Sequence, residues 1–228
     1  MALIKALEQD FQGDVLYKGP VTSEEIRLPQ YQPQPNALAS VRNKLQSQGW
    51  EPSPPTMKLI LVNPNASDVF PLRKWPLESF VALCSRLLSA RPNLWIAMTG
   101  TSSEAETTAR LVRLVNDRRC FNLAGKTSFE ELLALYSLAS VLVTNDSGPA
   151  HFAALVNLPT VVLFGPESPR LYAPLGKHVR CLYAGFACSP CISVYNNKKS
   201  PCRDNLCLKA ISVDEVADAT LAQLALTA

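Results

Sequence analysis

A chain of 228 residues, 47% of them hydrophobic and 18% charged, is long enough for one well-filled core and too apolar for bulk disorder. Its formal charge of +3 comes from scattered lysines and arginines, which gives no footprint for nucleic acid, so no nucleic-acid partner is expected. No apolar run approaches a membrane span, and Glu8, Asp10 and Asp14 stand where a signal peptide needs its apolar stretch, so a cytoplasmic location is expected.

The first part of the chain does not read as a domain. Between Gly19 and Pro55 lie Pro20, Pro29, Pro33, Pro35, Pro52, Pro54 and Pro55, a density that blocks long helices and central strands and leaves room for one short helix over Ala37–Gln48. Residues 1–56 are therefore read as an N-terminal segment continuing something upstream, closed by a linker at 51–56.

From Met57 short apolar runs alternate with amphipathic segments, the pattern of a βαβ series and a parallel sheet. Strands are expected at Lys58–Asn63, Leu94–Thr99, Cys120–Ala124, Val141–Thr144, Thr160–Phe164 and Arg180–Tyr183. Between them, helices are expected at Trp75–Ala90, Ser103–Val115, Ser128–Ala139 and Pro149–Val156, with a last one at Val213–Ala225. In the first, Phe80, Leu83, Cys84, Leu87 and Leu88 recur at helical spacing and predict one buried face. Ser128 with Glu131 three residues on is a capping box. Right-handed crossovers turn this order into an α/β fold, a doubly wound, Rossmann-like sheet over residues 57–228 whose strand C-termini share one edge, where ligands bind.

The most loaded of those strand ends is Asn145-Asp146-Ser147-Gly148-Pro149-Ala150-His151. Pro149 fits the first position of a helix, Ser147 or Gly148 remains to cap it, and the open amides of that turn suit a phosphate or diphosphate. An ordinary polar βα turn has the same composition, so the neighbouring loops matter. They carry Asn63-Pro64-Asn65-Ala66-Ser67, Arg73-Lys74, Thr101 to Glu104, Gly125-Lys126-Thr127 and Gly165-Pro166-Glu167. Two or more cations beside a helix start fit a diphosphate, and Glu104 suits ribose hydroxyls or a base edge, while also fitting a plain first-turn helix position.

Five of these motifs, in order, carry a resemblance. Asn-Pro-Asn-Ala-Ser at 63–67, Arg-Lys-Trp-Pro at 73–76, Asn-Leu-Ala-Gly-Lys-Thr-Ser at 122–128, Asn-Asp-Ser-Gly-Pro-Ala-His at 145–151 and Leu-Phe-Gly-Pro at 163–166 make Leu59–Leu224 resemble glycosyltransferase family 9, the heptosyltransferase-like enzymes of bacterial lipopolysaccharide assembly. Specifically, it is similar to the C-terminal, donor-binding half of their GT-B fold. The resemblance implies an inverting transferase that moves a sugar such as heptose from a nucleoside-diphosphate sugar to a lipopolysaccharide-type or other cell-envelope glycan or glycolipid acceptor. It needs no metal for catalysis and works at the inner face of the inner membrane.

The same resemblance implies that Asp146, Ser147, Gly148, Pro149 and His151 surround the diphosphate and sugar, that Arg73, Lys74 or Lys126 meets the phosphates, and that Glu104 holds the nucleoside. Relatives usually carry Thr where Ser147 stands, which keeps the hydroxyl. Their general base belongs to an N-terminal acceptor domain. Residues 1–56 are too short to be one, so they are read as the remnant of a missing acceptor domain, with the catalytic base unassigned. This chain by itself is then expected to be inactive or weakly active. A non-catalytic nucleotide-binding or partner-docking module is the alternative.

Seven cysteines remain. Cys84, Cys120 and Cys181 sit in helix and strand contexts as small core residues. Cys188, Cys191, Cys202 and Cys207 cluster in a loop over 188–207, where a structural zinc, packed free thiols and disulfides are three open readings.

Overall fold

The computed structural model describes residues 28–50, 57–66, 70–197 and 199–226. The expected tail at 1–27, the linker at 51–56, Ser67 of the first motif and Lys198 of the cysteine loop lie outside the described residues.

Six strands form one parallel sheet: β1 Lys58–Asn63, β2 Leu94–Met98, β3 Cys120–Asn122, β4 Val141–Asn145, β5 Thr160–Phe164 and β6 Val179–Tyr183, in the order β3-β2-β1-β4-β5-β6. This is the doubly wound, Rossmann-like arrangement, and its order reverses between β1 and β4. Every residue of β2, β4 and β5 is buried, as a parallel sheet covered on both faces requires.

The period-2 alternation of each strand divides the core. Ile60, Val62, Ile96, Met98, Val141 and Val143 face one helical layer, whereas Leu59, Leu61, Trp95, Ala97 and Leu142 face the other. The first layer holds α2 (Leu77–Ala90), α3 (Ala105–Val115) and the last helix, α8 (Val213–Ala225). In α2 the buried residues are Phe80, Leu83, Cys84, Leu87 and Leu88, the stripe that the helical spacing predicts. Cys84 and Cys120 are buried against each other, and the Cys84 thiol is pushed up chiefly by its hydrogen bond to Cys120 and then by burial.

The second layer holds α4 (Phe129–Leu138), α5 (Gly148–Ala154) and α1 (Pro35–Gln46). Here the structure differs from the sequence-based boundary at residue 56. Ala37, Val41, Leu45 and Trp50 join Leu59, Leu61 and Trp95 in one buried cluster, so α1 is part of the domain's own core. Glu131 fastens it: its Oε1 accepts from Ser40 Oγ and Lys44 Nζ, each at 2.6 Å, while Oε2 accepts from the Ser128 N–H in the expected capping box. Two short helices were not expected, α6 (Pro169–Tyr172) and α7 (Leu206–Lys209), because single turns carry too few residues to show a periodicity.

Candidate functional site

At the C-terminal edge of the sheet the strands stop pairing and their backbone groups need new partners. Asparagines supply them. Asn145, fully buried at the end of β4, accepts the Trp75 N–H at 3.0 Å and donates to the Pro64 carbonyl at 2.9 Å. Asn63 Oδ1 accepts the Asn65 N–H at 3.0 Å, and Asn65 donates to the Thr99 carbonyl at 3.3 Å. Gly100 is required beside them, because an added Cβ would lie 2.6 Å from Asn65 Nδ2. The loops after β1, β2 and β4 are thereby tied together around the point where the strand order reverses.

Between these loops opens a cleft of about 630 Å³. Arg73, Glu104, Asp146, Ser147, Gly148, Pro149 and His151 all line it, so seven of the nine expected donor-site residues meet in one place. Arg73 Nη1 lies 3.7 Å from Asp146 Oδ2 and 3.6 Å from Glu167 Oε2, and its guanidinium rests 5.0 Å from the centre of the Phe70 ring. Both carboxylates are buried, at 4% and 2% exposure, so the cation is held in a low-dielectric wall where its charge is poorly screened.

The turn into α5 is more open than its sequence suggests. Pro149 occupies the second helical position behind Gly148, not the first. Ser147 is the N-cap residue, yet its side chain makes no cap; Oγ donates to the Asn145 carbonyl at 3.1 Å and pairs with Thr144 Oγ1 at 3.3 Å. Pro149 has no N–H and Ala150 gives its own to the Ser147 carbonyl, so of residues 147–150 it is the Ser147 and Gly148 N–H groups that have no partner among the described residues. A Cβ at Gly148 would meet Phe152 at 3.5 Å, ordinary contact, so the fold itself does not demand glycine there. Burial lowers the His151 imidazole below its ordinary value of 6.5.

Glu104 fits the first-turn reading of its position and also borders the cleft. Its Oε2 accepts from the N–H and hydroxyl of Thr101 at 2.7 and 2.9 Å, a capping box for its own turn, while the residue also borders the cleft and a smaller hollow of about 180 Å³ edged by Thr127, Phe129 and Leu132. Lys74 and Lys126 are not among the cleft-lining residues. Lys74 is half-buried with its carbonyl accepting from Asn205 at 2.7 Å, and Lys126 is exposed beyond the positive-φ Gly125, its carbonyl accepting from Lys44. The lining residues that the sequence did not single out include Glu167, quoted only as part of a loop, and Tyr172 on the unexpected α6. Pro166 and Pro169 flanking an acid just after a strand were the available signal for the first.

The structure corrects the zinc reading of the cysteine loop. Among the described residues no group of three or more His, Cys, Asp or Glu side chains is arranged to hold a metal ion. The thiols are free and spread over different surroundings. Cys202 Sγ donates to the Asp204 carbonyl at 2.9 Å, Cys191 Sγ accepts from Ser200 Oγ at 3.2 Å, Cys188 is exposed, and Cys207 is buried, which pushes its thiol up. The loop instead braces the site: the Cys191 and Ile192 N–H groups both donate to the Pro166 carbonyl at 2.9 Å.

Residues 8–200 match the family model described as Glycosyltransferase family 9 (heptosyltransferase). The chain belongs to glycosyltransferase family 9. The family 9 chain is 30% identical over 115 residues to "Lipopolysaccharide heptosyltransferase 2" of Salmonella typhimurium, a match covering 49% of this chain and 32% of that protein. Against "Lipooligosaccharide heptosyltransferase 2" of Campylobacter jejuni it is 25% identical over 164 residues, covering 71% of this chain and 49% of the relative. It therefore spans half or less of the curated relatives it matches. Among solved structures, "ADP-heptose lps heptosyltransferase II" of E. coli superposes with a TM-score of 0.68 at 22% identity, over 90% of this chain and 57% of that one. "E. coli heptosyltransferase WaaC with ADP" gives 0.57 at 18% identity, over 74% and 45%. These likenesses confirm the expected fold class. Among the described residues of this family 9 chain, no helix is long and apolar enough to cross a membrane.

Proposed function

We propose that this chain forms the donor-binding half of a GT-B glycosyltransferase, which takes a nucleoside-diphosphate sugar, a heptose donor in the reading its relatives' names support, and transfers the sugar with inversion to a cell-envelope glycan. One observation carries the reading: the open Ser147 and Gly148 N–H groups, His151 and Arg73 converge on one cleft at the strand-order reversal. As the acceptor hydroxyl attacks the anomeric carbon, the bond to the diphosphate breaks and the leaving group gains negative charge. Donors already fixed in the protein stabilise that charge without reorganising. The nucleoside lies toward Glu104 and the smaller hollow beside it, and protein groups supply the counter-charge, so no metal is needed in this reading.

The base that deprotonates the acceptor is assigned to an acceptor-binding domain outside residues 57–226. Within the cleft the buried carboxylates Asp146 and Glu167 are engaged as counter-charges to Arg73, which supports that assignment and low activity of this chain alone. The acceptor is a lipopolysaccharide-type glycan at the cytoplasmic face of the inner membrane. Calorimetric titration with ADP, UDP and their sugar conjugates tests the reading. Saturable binding that falls about tenfold in Gly148→Ala, where a methyl crowds the approach to the open N–H groups, is expected. Absence of binding to every nucleotide would overturn it in favour of a docking module.

A further inference from the structure

The smaller hollow is walled differently from the cleft it adjoins. The two have Asn63, Thr101 and Glu104 in common, so they open side by side. Arg73, Asp146, Ser147, Gly148 and His151 line the cleft and not the hollow. Several polar groups of the hollow are committed to their own turns: Glu104 Oε2 to Thr101, the Ser128 N–H and Oγ to Glu131, and Asn63 Oδ1 to the Asn65 N–H. Beside them stand the apolar side chains of Phe129 and Leu132.

Phe129 is the first residue of α4 and is 56% exposed. A lone exposed Phe is common on protein surfaces and asks for no explanation. This one differs in lining a hollow and in being held there. Its ring meets that of Phe152 edge to face, with centroids 5.0 Å apart and planes at 85°. Phe152 is half-buried on α5, and two of its ring carbons lie 3.5 and 3.6 Å from where a Cβ on Gly148 would stand, so it is packed against the turn that lines the cleft. The capping box of Ser128 and Glu131 fixes the backbone at the start of α4. An aromatic ring whose position is set in advance loses little freedom when a flat ligand covers it.

We propose that Phe129 is the nucleobase-stacking residue of the donor site, covering one face of the base while the diphosphate lies toward the start of α5. Every base has a π face, and stacking on an aromatic side chain contributes about 5- to 150-fold in affinity. A phenyl ring attracts such a face and gives no hydrogen bond to phosphate oxygens, so the hollow suits the base and the cleft suits the diphosphate. The inference rests on the donor-binding reading above, which puts the nucleoside near Glu104 and names no side chain to hold the base.

Calorimetry with whichever of ADP and UDP binds compares wild type, Phe129→Leu and Phe129→Trp. Phe129→Leu keeps an apolar side chain against Phe152 and is expected to weaken the nucleotide about tenfold, whereas Phe129→Trp stays within about threefold of wild type. The indole of Phe129→Trp should also be quenched by the nucleotide, against a background of Trp50, Trp75 and Trp95 that are all buried. Thermal unfolding verifies that each variant folds; if Phe129→Leu does not, the affinity and emission of Phe129→Trp decide. Unchanged affinity in Phe129→Leu, equal losses in the two variants, or an indole that does not respond overturns the inference alone. Failure of wild type to bind either nucleotide overturns the donor-binding reading and the inference with it.

Discussion

Asn145 Oδ1 accepts the backbone N–H of Trp75 at 3.0 Å, joining two residues of separate motifs across the strand-order reversal. The same amide donates to Pro64, and Trp75 Nε1 reaches the Ile211 carbonyl at 3.0 Å, so one asparagine sets the path of the segment that presents Arg73. Replacing Asn145 by Ala strands a buried N–H and a buried carbonyl. A loss of about 2–3 kcal/mol in urea unfolding is expected, together with weakened nucleotide binding. Unchanged stability would show that the segment is held from elsewhere.

Arg73→Gln leaves Asp146 and Glu167 buried without their shared cation. Because breaking one side of a buried pair costs more than the pair contributes, a destabilisation of about 3 kcal/mol is expected, with loss of nucleotide binding. Adding Asp146→Asn removes one of the two carboxylate charges beside the lost cation and should recover part of the stability and none of the binding. Urea unfolding of the single and double variants, read as a cycle, checks the coupling.

His151 gives the donor site a pH dependence with a defined sign. Burial holds the free imidazole below 6.5, so it is neutral at pH 7, whereas a bound diphosphate favours the protonated ring. Binding then takes up a proton, and affinity should rise as the pH falls through the interval between the two values. The nucleotide's own titration is common to all variants, so the measurement is the difference between wild type and His151→Gln across pH 5.5 to 8, roughly one proton at its steepest. Identical slopes would remove His151 from the phosphate.

Glu131 fixes α1 to α4, and its carboxyl is lowered from 4.5 to about 2, first by the Lys44 hydrogen bond and then by those of Ser40 and the Ser128 N–H. A depressed acid stabilises the fold above its unfolded value and loses that contribution as the pH falls. The stabilisation should be complete above about pH 4.5 and fade toward pH 2. With its partners partly solvated, about 1 kcal/mol is expected to separate wild type from Glu131→Gln at pH 7, shrinking in acid. Thermal unfolding across that range measures it, and a difference independent of pH would contradict the assignment.

Legibility from sequence followed the range of the forces involved. The six strands and the buried stripe of α2 were readable because burial imposes a local period, and the Ser128–Glu131 capping box because its two partners lie three residues apart. Ser147 is the N-cap residue, but the partner of its side chain was not legible, because that acceptor, the Asn145 carbonyl, depends on the bend of the turn and not on its composition. The attachment of α1 was hidden because Pro-rich flanks masked four apolar residues whose partners, Leu59, Leu61 and Trp95, come from strands that follow it in the chain.

The stretch from Asn145 to His151 divides cleanly. By itself the sequence determined that a strand ends there in a polar turn and a helix start, since those are consequences of neighbouring residues and of backbone sterics. Only the tertiary structure decided that Asn145 is a girder, that Ser147 and Gly148 keep their N–H groups open, and that Asp146 shares Arg73 with Glu167. Each of these joins loops at different strand ends, and distances between such loops are set by sheet order and packing, which no local pattern encodes.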